Sequence, residues 1–127
     1  MLVATSAAAQ SPDTSLSGNF LPALLETSAP HRDSLTALIK GKPGLPGWVR
    51  SIIKRPRYVA LASEAVEIGD RRLQLFRACE AGKCEASGIT VLFSADGKRA
   101  VLRVSDLKLG ITVYGEASED ELKVLSQ

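Results

Sequence analysis

Residues 73–93 read Leu73-Gln74-Leu75-Phe76-Arg77-Ala78-Cys79-Glu80-Ala81-Gly82-Lys83-Cys84-Glu85-Ala86-Ser87-Gly88-Ile89-Thr90-Val91-Leu92-Phe93, and they hold both cysteines of the chain. Leu73–Phe76 and Ile89–Phe93 are short apolar and β-branched runs of strand character. Between them lies the small loop Cys79–Cys84. A disulfide needs its Cα atoms within roughly 4.4–6.8 Å. Ala81-Gly82 permit the turn that brings the two cysteines that close. On a chain-entropy estimate a ring of six residues removes only about 2 kcal/mol of denatured-state freedom, so the bridge shapes a local feature rather than stapling the whole fold. A redox-active dithiol would have two intervening residues at a helix start, within a βαβ pattern that is not found here. A structural zinc site needs four ligands, and the chain offers two cysteines and one distant histidine, His31. The closed loop is then either a pinned hairpin tip or a preorganised recognition finger.

Working outward, Tyr58-Val59-Ala60-Leu61 and Ala65-Val66-Glu67-Ile68 are strand-like, and Gly69-Asp70 supplies the turn into the cysteine-bearing strand. Past the loop, Asp96-Gly97 is a hairpin signal, Ala100–Val104 pairs back, and a fifth strand covers roughly 108–114. Strands joined by short turns predict an antiparallel sheet. Ahead of it, Leu21, Leu24 and Leu25 fall at helical spacing, and a helix is expected from Asp33 or Ser34 as N-cap, carrying Leu35, Leu38 and Ile39 until Gly41 and Pro43. His31, just before that start, is expected to be exposed or loosely packed, with no role. Pro46 opens a second short helix in which Trp48, Val49, Ile52 and Ile53 form an apolar anchor onto the sheet, and Pro56 ends it. Ser118, with Glu121 three residues on, predicts a capping box for a terminal helix through Leu125. The fold class is α+β: a five-stranded antiparallel sheet with flanking helices on one face.

The 127 residues, 45% hydrophobic and 24% charged, suit one domain with a single core. Residues 1–9 read as the remnant of a signal peptide, with Ala7 and Ala9 before a cleavage point at Gln10, but without a basic start or a full apolar centre. Residues 10–30 read as a flexible arm with a short helix, and 31–127 as the domain. No apolar stretch approaches the roughly 20 residues that span a bilayer, so no membrane insertion is expected. The leader and the cysteine pair together point to the periplasm. A net charge of +2, and a basic run at Arg50, Lys54, Arg55 and Arg57 without interleaved aromatics, do not describe a nucleic-acid binder. No Ser/His/Asp or Cys/His constellation and no Gly-rich phosphate loop is visible, so the chain reads as a non-enzyme with no catalytic residues, cofactor or metal.

Gly41 followed by Leu45-Pro46-Gly47-Trp48-Val49, Gly69-Asp70 before the cysteine-bearing strand, and Ala78-Cys79 with Cys84 after four intervening residues share their order and spacing with a known family. Over about residues 34–115 the chain resembles the Ivy family, periplasmic inhibitors of vertebrate c-type lysozyme. The resemblance implies an Ivy-like sheet with flanking helices, export, and a disulfide-closed loop that plugs the lysozyme cleft. Active members carry C-K-P-H-D-C there, and the histidine hydrogen-bonds the catalytic carboxylates. Here Glu80 stands for the lysine, Ala81 for the proline, Gly82 for the histidine and Lys83 for the aspartate. Glycine has no side-chain donor, and alanine leaves the free loop more conformations to lose. Lys83 is a strongly hydrated substitute, and Glu80 would repel the same carboxylates. A +2 chain gains no long-range attraction to lysozymes that are typically basic. The expectation is weak or absent inhibition of c-type lysozyme through Glu80, Ala81, Gly82 and Lys83. The alternatives are inhibition of another peptidoglycan-lytic enzyme, such as an endogenous lytic transglycosylase, or an envelope glycan- or protein-binding module. A homodimer is compatible with the sequence.

Overall fold

Within the strands between Leu73 and Val104, consecutive apolar residues such as Leu75-Phe76, Val91-Leu92-Phe93 and Val101-Leu102 send apolar side chains to both faces of a sheet, and the architecture follows from that. The computed structural model of the chain describes residues 16–127. The N-terminal reading of a leader, and of an arm as far as residue 15, lies outside the described residues. Three helices come first: α1 (Leu21–Thr27), α2 (Ala29–Ile39) and α3 (Gly47–Arg50). Six strands follow, β1 (Tyr58–Ala60), β2 (Glu64–Ile68), β3 (Arg71–Glu80), β4 (Ser87–Ser94), β5 (Ala100–Asp106) and β6 (Gly110–Tyr114), and α4 (Glu119–Leu125) closes the chain. The class is α+β with an antiparallel sheet.

All pairings are antiparallel, and β3, β4, β5 and β6 are neighbours in that order. β1 and β2 share the other edge of β3, so six strands fill five positions. Ala60 pairs with Ala78 and Glu64 with Leu75, so residues 61–63 oppose only residues 76 and 77. This bulge turns Ser63 inward and leaves Val59, Leu61, Glu64 and Val66 on one common face. The buried Ser63 hydroxyl donates to the Leu16 carbonyl at 3.1 Å and accepts from the Asn19 amide at 3.0 Å and from Gln74 Nε2 at 3.3 Å. Residues from Leu16 onward are thereby tied to the sheet. With Leu16, Leu21 and Leu25 buried, the stretch read as an arm belongs to the folded body from that point.

On the first face, Phe76, Ala78, Ile89, Val91, Phe93, Leu102 and Val104 pack against Leu21, Leu25, Leu35, Ile39, Val49 and Ile52 of the three leading helices and their turns. On the second face, Leu73, Leu75, Leu92 and Val101 pack against Leu125 of α4. The expectation of helices on one face is corrected here. The even positions of β3 and β5 and the odd positions of β4 face one way, and the intervening Leu and Val positions require a second cover.

Helix α2 begins at Ala29, four or five residues before the Asp33 or Ser34 start expected for it. Pro30 lies in its first turn, where a missing N–H costs nothing, and Ser34 Oγ instead donates to the Gly97 carbonyl at 2.7 Å. His31 is consequently inside the helix and buried. Its ring meets Phe93 edge-on at 4.8 Å, correcting the expectation of a loosely packed histidine. The α4 capping box forms as expected: Ser118 Oγ accepts from the Glu121 amide at 3.2 Å, and Glu121 Oε1 accepts from the Ser118 amide at 2.9 Å.

Candidate functional site

The long strand β3 stays paired with β1 to its last residues, Cys79 opposite Val59 and Glu80 opposite Tyr58, and delivers both to the end of the sheet remote from α4. The chain turns at once, with the Lys83 amide donating to the Glu80 carbonyl at 2.9 Å. It re-enters the sheet through bonds from the Ala86 and Ser87 amides to the Lys83 carbonyl at 3.0 and 3.1 Å. Cys79 and Cys84 form a disulfide with Cα atoms 4.8 Å apart. Gly82 occupies the tip at φ +77°, where no other atom lies within 4 Å of a would-be Cβ. Ala81, Gly82, Lys83 and Cys84 are exposed, and Glu80 is half-buried. Glu80, Ala81, Gly82 and Lys83 with the Cys79–Cys84 bridge form one closed projection, as the spacing suggested.

The base of the projection is held by a chain of hydrogen bonds that sequence patterns did not signal. Trp48 Nε1 donates to Ser87 Oγ at 2.8 Å, and Ser87 Oγ donates to Asp106 Oδ2 at 2.7 Å. Asp106 Oδ1 accepts the amides of Lys108 and Leu109 at 2.9 and 3.0 Å, fixing the β5–β6 turn. The Ser87 hydroxyl first, then those two amides, hold the Asp106 carboxyl below the usual range. Trp48 is thus an anchor with a polar task as well as an apolar one. The Leu107 amide donates to the Ala86 carbonyl at 2.9 Å, setting the β5–β6 turn beside the loop. That turn exposes Leu107 by 81%, with Leu109 and Ile111 exposed next to it.

The surroundings are basic. A shallow groove on the helical side of the loop is lined by Trp48, Arg55, Arg57, Glu80 and Ala81. On the opposite side a depression in the sheet face includes Arg77 and Arg103 among its walls. Among the described residues no group of three or more His, Cys, Asp or Glu side chains is placed to hold a metal, and no helix is long and apolar enough to cross a membrane. The one hydroxyl–imidazole contact, Ser28 Oγ to His31 Nδ1 at 2.6 Å, joins residues three apart at the start of α2. The other ring nitrogen, His31 Nε2, is buried without a hydrogen-bond partner, and burial lowers the imidazole pKa.

No protein-family model matches the chain, and no curated protein matches it at a significant level.

Proposed function

We propose that the chain is a non-enzymatic periplasmic binding protein of the lysozyme-inhibitor, Ivy-like type, which meets a peptidoglycan-lytic enzyme through the loop Cys79–Cys84, with inhibition of c-type lysozyme weak or lost. One observation carries this reading: a disulfide-closed loop projects from the end of β3 with a glycine, Gly82, in open space at its tip. A projection of fixed shape loses little freedom on entering a cleft, which favours binding. A tip without a side chain offers no donor to catalytic carboxylates. Losing a central anchor costs about 2 kcal/mol or more, a weakening of more than about tenfold.

The basic frame of Arg55, Arg57, Lys83, Arg103 and Lys108 around the loop favours a second reading, in which the target is an acidic lytic enzyme such as an endogenous lytic transglycosylase. The test titrates the protein into a c-type lysozyme and into a lytic transglycosylase, following turnover and heat of binding. Weak or no inhibition of the lysozyme is expected, with inhibition regained in Gly82→His. Sub-micromolar inhibition of c-type lysozyme by the unaltered protein would overturn the account of the loop. An inert Gly82→His variant that keeps its fold would overturn the assignment to this type of inhibitor.

A further inference from the structure

Between α4 and the loop, none of the described residues covers the second face of the sheet. Two cross-strand rows form its floor. Arg77, Thr90, Arg103 and Val113 stand side by side across β3 to β6, and next to them run Val59, Cys79, Gly88, Ser105 and Ile111 across β1 to β6. The middle of the second row has no side chain because Gly88 occupies it. A Cβ there would lie 3.3 Å from the Ala78 carbonyl oxygen and 3.8 Å from Cys79 Cβ. The result is a depression of about 490 Å³, walled by Val59 and Leu61 on one side and by Cys79 and Cys84 at the loop end. That falls within the roughly 300–1,000 Å³ of small-molecule sites.

Its chemistry is specific. Val59 and Leu61 expose 45% and 56% of their surface. Arg77 is engaged, its Nη1 lying 2.7 Å from Glu64 Oε2. Among the described residues the guanidinium of Arg103 and the hydroxyls of Thr90 and Ser105 make no side-chain hydrogen bond or ion pair, although all three are at least half-buried. The one acidic side chain on the rim outside that ion pair, Glu85, is exposed and pairs with neither arginine. An unpaired guanidinium beside two free hydroxyls matches a planar monoanion, since Arg presents parallel N–H donors to a carboxylate. The apolar wall matches a hydrocarbon body.

We propose that this depression binds a small amphipathic carboxylate, with the carboxylate on Arg103, Thr90 and Ser105 and the apolar body along Val59, Leu61 and the disulfide. The site is separate from the loop tip and does not depend on the function proposed above. The probe is sodium octanoate, titrated into the full ¹⁵N-labelled chain and followed by amide chemical shifts, with octan-1-ol as the uncharged counterpart. Saturable shifts centred on Thr90, Arg103 and Ser105 are expected, with octanoate at least fivefold tighter than octan-1-ol. Arg103→Gln should remove that preference while leaving octan-1-ol binding and the spectrum's dispersion unchanged, and Arg103→Lys should retain part of it. Equal affinity for acid and alcohol, shifts centred elsewhere, or no saturation would each overturn the proposal.

Discussion

The carboxylate of Glu121 is fully buried and grips the guanidinium of Arg99, with Arg99 Nη1 to Oε2 at 2.6 Å and Nη2 to Oε1 at 2.7 Å. Arg71 approaches the same Oε2 at 3.4 Å. The pair ties the first turn of α4 to the β4–β5 turn and β3, so the helix that covers the second face is held by charge as well as by Leu125.

Removing the acid strands two guanidiniums and the capping box together. Both arginines remain almost half exposed and can regain water, which limits the loss to the order of 2–3 kcal/mol for Glu121→Gln. Urea unfolding at neutral pH measures it. The Arg99 hydrogen bonds hold the Glu121 carboxyl down to about 2. A depressed acid stabilises the fold fully above its unfolded value of 4.5 and loses that contribution as pH falls toward 2. Wild type should therefore weaken between about pH 4.5 and 2 more steeply than Glu121→Gln. Parallel slopes would refute the assignment.

Ser87 serves Trp48 and Asp106 at once, so Ser87→Ala should cost about 1–3 kcal/mol through the stranded indole N–H. Two spectroscopic signs should accompany the loss. Tryptophan emission should shift to the red, and the Asp106 carboxyl should titrate closer to the ordinary carboxylate range, as read by NMR. An unshifted Asp106 would mean that the two turn amides alone set its charge state.

The disulfide closes a six-residue ring that begins at Cys79, the last β3 residue paired with β4. Replacing both cysteines by alanine should lower stability by about 2 kcal/mol. Hydrogen exchange should accelerate at Ala81–Ala86 and stay slow at Phe76 and Val91. A loss of protection across the whole sheet would show that the bridge staples the fold.

The strands, the turns at Gly69-Asp70 and Asp96-Gly97, the capping box and the closed loop were legible because each is a local signal: alternation, a turn dipeptide, a cap spaced by three, a short cysteine interval. The second apolar layer was present in the letters as Leu73, Leu75, Leu92 and Val101, but one-face and two-face sheets differ only in how those positions are covered. The polar ties were hidden for another reason. Ser63 with Leu16, Trp48 with Ser87 and Arg99 with Glu121 lie 47, 39 and 22 residues apart, and a single serine or glutamate gives no hint of a partner so far away. The sheet-face depression was least visible, since it depends on Gly88 and Thr90 meeting Ser105 and Arg103, which only strand register brings about.

Gly97 was read as turn chemistry, and the fold adds a second constraint to it. Its φ is +78°, and a Cβ would fall on the buried ring of His31, nearest Nδ1. Neither side can give way easily, because His31 is wedged edge-on against Phe93 and Ser34 Oγ is bonded to the Gly97 carbonyl. Gly97→Ala should therefore cost about 2–3 kcal/mol, of which about 1 kcal/mol is the left-handed backbone and the remainder the collision. A double-mutant cycle with His31→Ala separates them. The ring's removal should relieve the steric share and leave the backbone share, giving a coupling of about 1 kcal/mol or more. Additive losses would show that the turn moves away from α2 without resistance, and that this contact does not fix how the leading helices sit on the sheet.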